Sequence, residues 1–111
     1  MPTVKLDIVQ QPASNGTLIA QLVGKLSLET VNSFLQETRA FTDEKLVLDM
    51  SGVSYVDSAG VGALVQLFVH RRSHSKKLAV AALTTQGSAV MQVAGLTKLL
   101  PTFPTVAEAI A

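Results

Sequence analysis

Apolar and polar residues alternate at the start of the chain, where Val4, Leu6 and Ile8 are separated by Lys5 and Asp7, and this period of two predicts a strand with one buried face. The cluster Pro12-Ala13-Ser14-Asn15-Gly16 supplies turn chemistry, and the more apolar stretch Thr17 to Val23 predicts a second strand, paired with the first as a hairpin. Gly24 closes that strand. Ser27 can cap a helix by accepting a backbone N–H bond, and Val31, Phe34 and Leu35 then recur on one helical face as far as Ala40. Leu46, Val47 and Leu48 form an unbroken apolar run within Lys45 to Met50, which suits a central strand covered on both faces. After a loop from Ser51 to Asp57, Val61, Leu64, Val65 and Phe68 return to helical spacing, and the helix ends in Arg71 and Arg72, cations that suit a helix C-terminus. Leu78 to Leu83 predicts a further buried strand, and Val90, Val93 and Ala94 a short helix stopped by Gly95. Pro101 and Pro104 confine any strand between them to a sheet edge, while Thr105 and Glu108 match a capping box that opens a last short helix.

This order of elements implies an α/β layer fold whose parallel or mixed sheet has helical crossovers. Composition supports a packed domain. Of the 111 residues, 48% are hydrophobic and 15% charged, enough apolar material for one core over residues 1–111 and no sign of disorder. Nine basic against eight acidic residues leave a net charge of +1, so no global field draws the chain to nucleic acid or an anionic membrane. The absence of cysteine removes disulfides and thiolate metal sites and fits a reducing compartment, so the expected location is cytoplasmic. The start, MPTVKLDIVQQ, lacks the basic and apolar regions of a secretory leader, and no apolar run approaches the roughly 20 residues of a membrane span.

Candidate chemistry concentrates in the segment LVLDMSGVSYVDSAGVGAL, Leu46 to Leu64, a strand, a loop and a helix start. In open α/β sheets, ligands and partners meet the crevice beyond the strand C-termini, where helix N-termini present free N–H groups. Ser58 falls there. By spacing alone it reads as a plain N-cap, worth about 1 kcal/mol over alanine. The sharper reading is a phosphorylation site, because phosphate at a helix start meets the positive end of the dipole and the following N–H groups. The two readings are compatible.

The same segment resembles the STAS domains, shared by sulphate transporters and bacterial anti-sigma factor antagonists. The likeness rests on the hydrophobic strand, its aspartate and the Asp57-Ser58-Ala59-Gly60 signature with Gly62 in the helix start, and it extends to Leu22-Val23-Gly24-Lys25-Leu26. It implies a single-domain STAS-like layer fold: a mixed, mostly parallel sheet of four to five strands with about four helices. The resemblance also implies partner switching. An unphosphorylated antagonist binds an anti-sigma factor that is also its serine kinase and so frees a sigma factor for transcription; phosphorylation breaks the complex and a phosphatase restores it. Carried onto this chain, Ser58 is the phosphoacceptor, and Ser27, Asp57, Ser58, Ala59, Gly60 and Gly62 contact the partner. Ala59 stands where relatives often have serine, which leaves Ser58 as the one hydroxyl of the signature. Ser27 stands where antagonists commonly carry an acidic residue, either as a replacement N-cap or as a changed contact. Asp49 either helps position the serine or a kinase's metal, or caps the loop that follows.

Enzyme readings fare poorly. His70 and His74 lie about three helical turns from Ser58, roughly 15 Å or more, too far for a general base. Val56 occupies the first glycine position of a nucleophile elbow, Val65 the third of a dinucleotide-binding glycine motif, and no Walker lysine follows. No cofactor or metal site is expected. His70, His74, Arg71, Arg72, Lys76 and Lys77 read as a solvated helix end rather than an anion patch, and Met50 and Met91 as core or rim. Within the resemblance, a subunit of a lipid-transport or stress-sensing assembly would use the same fold with another partner; outside it, the chain reads alternatively as a small-ligand sensor or lipid-binding module.

Overall fold

A computed structural model describes residues 4–111. The first two strands, β1 (Leu6–Pro12) and β2 (Thr17–Leu26), form the expected antiparallel hairpin. There follow α1 (Val31–Thr38), β3 (Lys45–Val56), α2 (Ser58–Ser73), β4 (Lys77–Ala81), α3 (Thr85–Val93), a 3-10 turn at Leu96–Lys98, β5 (Thr102–Phe103) and α4 (Val106–Ile110). The five strands lie in sequence order in one sheet, with β2, β3, β4 and β5 parallel to one another. β3 is therefore central, and the two-residue β5, flanked by Pro101 and Pro104, is the edge strand that those prolines permit.

The side-chain alternation of β2 and β3 divides the interior in two. Leu18, Ala20 and Leu22 of β2 and Leu46, Leu48 and Met50 of β3 join Phe34 of α1, Leu64 and Leu67 of α2 and Met91 of α3 in the larger core. On the opposite face, Ile19, Val47, Ala79 and Ala81 pack with Ala109 of α4, flanked by Phe103 and Val106. Burial on both faces explains the unbroken apolar run in β3, since neither side of that strand meets water. The helices α1 and α2 both pack on the larger core.

Four local readings are corrected. Ser51 to Val56 is strand, not loop: β3 continues alongside β2 to the pair Leu26 and Val56. Two register shifts, between Gln21 and Val23 and between Gly24 and Lys25, each place an extra β3 residue opposite β2. Such bulges break the period of two, so the core-facing residues become Met50, Val53 and Val56, three apart. Gly24 does not end β2. It sits inside the strand at φ +129°, and a Cβ there would lie 2.2 Å from the Lys5 carbonyl oxygen, so β1 can close on β2 only over glycine. The cap of α1 is Thr30 rather than Ser27. β4 stops at Ala81, where Ala82 turns to φ 58°, two residues before the expected end.

Arg71 also departs from its expected place at a solvated helix end. It is 1% exposed, and its guanidinium donates from Nε to the Lys77 carbonyl (3.0 Å) and from its two terminal nitrogens to the carbonyls of Phe41 (3.2 Å) and Asp43 (2.7 Å). Burial lowers its pKa from the ordinary value, partly opposed by Asp43. The side chain thus ties α2 to the entries of β3 and β4, and a fork of N–H donors suits this better than a flexible ammonium. Arg71→Met should lower unfolding stability by about 2 kcal/mol, because three carbonyls lose their donor. Urea titration of both proteins checks this, and an unchanged midpoint would show that water replaces the guanidinium without loss.

Candidate functional site

The last residue of β3, Val56, hands the chain to α2 through Asp57, whose extended backbone makes it the N-cap. One carboxylate oxygen of Asp57 accepts from Gly60 N–H at 2.8 Å, and the other from Leu28 N–H at 3.1 Å. One side chain thereby caps α2 and holds the loop between β2 and α1. The backbone adds to the bond: Asp57 N–H donates to the Leu26 carbonyl at 3.2 Å. Gly60 then lies against that carbonyl, where a Cβ would approach to 2.2 Å. The first turn of α2 is pinned to the end of β2, a closeness that only glycine allows.

Ser58 is the first residue inside α2, not its cap, and it is exposed. Of the first N–H groups of the helix, that of Gly60 meets the Asp57 carboxylate and that of Val61 the Asp57 carbonyl. Those of Ser58 and Ala59 stand at the open end, where the helix dipole favours negative charge. Nearby, the Ser27 hydroxyl donates to the Glu29 carboxylate at 2.7 Å and holds the Glu29 pKa below its usual value, while Asp57 acts in the opposite sense. The site therefore combines a positive helix end with two carboxylates beside it.

Exposed apolar residues lie near Ser58. Leu28, on the loop held by Asp57, is 71% exposed, and an open groove of ≈ 530 Å³, lined in part by Ser58, runs between α2 and α3 past Tyr55, Val61, Val90 and Val93. Val93 is 90% exposed. Gln86 of α3 fixes this groove. Its amide donates to the Val56 carbonyl (2.8 Å) and accepts from Val56 N–H (2.9 Å), serving the end of β3 after its pairing with β4 has stopped at Asp49 and Ala81. Gln86→Ala should cost about 1–2 kcal/mol of stability by orphaning both groups. Hydrogen exchange at Val56 N–H should also accelerate, and unchanged protection there would rule out the bridging role.

The other residues singled out from the sequence are placed as follows. Ser27 is buried at 4% exposure, so its neighbours Leu28 and Glu29 form the surface of that loop. Ala59 and Gly62 are half-buried, and a Cβ at Gly62 would meet nothing within 4 Å. Asp49 lies inside β3 and accepts from Ser51 N–H at 3.0 Å, a local bond at the first bulge. His70 and His74 lie against each other at the far end of α2, with ring centroids 4.5 Å apart and the rings tilted by 40°. Met50 and Met91 are core residues. Leu28 and Gln86 carried no warning in the sequence, and Val93 none beyond its helical spacing, because a lone apolar or amide residue announces its neighbours only once the chain is folded.

The STAS domain model matches residues 9–109. Among solved structures, an anti-sigma factor antagonist from Mycobacterium paratuberculosis superposes with a TM-score of 0.85 at 20% identity, over 96% of this chain and 92% of that one. The phosphorylated form of the Bacillus cell fate determinant SpoIIAA superposes at 0.69 with 17% identity, over 94% and 96% of the two chains. The murine anion transporter Slc26a9 superposes at 0.77 with 19% identity over 96% of this chain, which matches 22% of the transporter. These likenesses concern the fold, and the family match extends over the site built from Asp57, Ser58 and Gly60; the chain belongs to the STAS domain family.

Proposed function

We propose that this chain is an anti-sigma factor antagonist, a binding protein that docks on an anti-sigma factor kinase through the start of α2 and is released when Ser58 is phosphorylated. The observation that carries the reading is the exposed Ser58 on the first turn of α2, set among the exposed apolar residues Leu28, Tyr55 and Val93. Apolar groups around a small neutral hydroxyl make a surface that a partner can cover without desolvating a charge at its centre. Phosphate on that hydroxyl would change this condition while leaving the core untouched. The description of the Mycobacterium structure as an anti-sigma factor antagonist, and of SpoIIAA as solved in a phosphorylated form, accords with this use of the fold.

Affinity purification from the source organism tests the reading. An ATP-binding serine kinase should co-purify with the unmodified chain, and incubation of the two with ATP should add one phosphate, located at Ser58 by mass spectrometry. Capture of permease or ATP-driven transporter subunits in its place would assign the chain to a transport assembly.

A further inference from the structure

The two edges of the sheet are built differently. β5 is two residues long between Pro101 and Pro104, too short a ladder for another strand to join. β1 forms the other edge, and it runs for seven residues in one register with β2, from the pair Leu6 and Gly24 to the pair Pro12 and Leu18. Its only proline is its last residue.

That register fixes where the main chain of β1 points. Lys25 N–H donates to the Lys5 carbonyl (3.3 Å) and Ala13 N–H to the Thr17 carbonyl (2.8 Å). Both bonds continue the register of Leu6 with Gly24, so the odd-numbered residues of β1 turn their main-chain groups to β2 and the even-numbered ones turn theirs outward. The N–H and C=O groups of Leu6 and Ile8 thus line the open edge, where no strand pairs with them among the described residues. The side chains alternate too: Leu6 and Ile8 pack against the larger core, while Lys5, Asp7 and Val9 stand exposed on the other face.

Unpaired main-chain groups in a row fit another strand, and the charges select which one. With a second copy of β1 laid antiparallel about a dyad at Leu6, main-chain bonds form between the two Leu6 residues and, on either side, between Ile8 of one copy and Val4 of the other. Lys5 of each copy then lies opposite Asp7 of the other, in a non-hydrogen-bonded pair, where side chains come closest. Neighbouring registers lose this match. A dyad at Asp7 sets two aspartates against each other; a dyad at Ile8 leaves Asp7 opposite Val9 and Val4 opposite Pro12, which has no N–H to donate.

We propose that the chain forms a two-fold homodimer through β1, with Lys5 and Asp7 paired across the dyad and the two sheets joined into one. The pairing uses no residue of the Ser58 site. A single pair of strands is a small contact, so the dimer belongs to the weak class and forms at roughly 10–1,000 μM.

Sedimentation velocity of the full chain from about 5 μM to about 1 mM is the test. The average mass should rise with concentration toward twice that of one chain. Lys5→Asp and Asp7→Lys should each weaken the dimer by about tenfold or more, because each sets like charges opposite one another at both symmetric pairs. The double variant Lys5→Asp, Asp7→Lys re-forms the pairs in reverse and should dimerise like the wild type. All the variants should keep the wild-type circular dichroism, since both side chains are exposed. In the wild type, amide exchange at Leu6 and Ile8 should slow as concentration rises, while exchange at Asp7 and Val9, bonded to β2 already in the monomer, should not change. A chain monomeric over the whole range, a double variant as weak as the single ones, or a dimer that leaves exchange at Leu6 and Ile8 unaltered would each overturn the proposal.

Discussion

Phosphorylation of Ser58 should weaken binding to the partner kinase by about a hundredfold or more while leaving the fold intact. Phosphate adds about −1.5 to −2 charges at neutral pH. In the free protein that charge sits at the open end of α2, where the dipole and the N–H groups of Ser58 and Ala59 favour it and water screens its repulsion from Asp57 and Glu29. In the complex the same group is stripped of water among Leu28, Tyr55 and Val93, and burying a dianion without matching cations costs several kcal/mol. Each 1.4 kcal/mol or so is tenfold in affinity. Ser58→Ala should keep binding and lose switching. Ser58→Asp, with less charge and another shape, should fall between the two. Calorimetric affinities for the four forms, with circular dichroism as the folding control, decide the matter: equal affinities with intact folding would remove Ser58 from the mechanism.

The glycines of the same helix should respond in opposite directions. Gly60→Val should lower stability by about 3 kcal/mol, since overpacking against a fixed backbone forces the elements apart. The clash here is with a carbonyl oxygen at 2.2 Å, and that carbonyl belongs to a β2 held by both neighbouring strands. Neither side can yield without breaking the Asp57 bonds to Leu28 and Gly60. Gly62→Ala meets open space and should stabilise the helix by about 0.5–1 kcal/mol. If the partner packs closely on this turn, that second change will also weaken binding even as the protein becomes harder to unfold. Urea titrations give the two stabilities; a neutral Gly60→Val would mean that α2 can lift from Leu26 freely.

Some of this was legible in the residues alone. The alternation of Leu6 and Ile8, the apolar run of Leu46 to Leu48 and the helical spacing of Leu64 and Phe68 are local patterns, and each reports how many faces of its element meet water. The signature around Ser58 pointed to a candidate site because its residues are contiguous. The segment Ser51 to Val56 failed for an equally local reason: two bulges shift the core-facing side chains from every second to every third residue, and a strand with that spacing resembles a loop.

What folding alone settled is who meets whom. Asp57 reaches Leu28, Gln86 reaches Val56, and Arg71 reaches Phe41 and Asp43, each pair separated by 28 to 30 residues. No periodicity encodes such a meeting, because it depends on the strand order, the bulges of β3 and the closeness that Gly60 allows. The sequence by itself determined the elements, the sidedness of most of them and the serine that faces solvent. Tertiary structure decided that an arginine at a helix end is core, that Leu28 is held at Asp57, and that two lysines begin adjacent strands: these follow from packing between distant segments, whose free energy no local pattern carries.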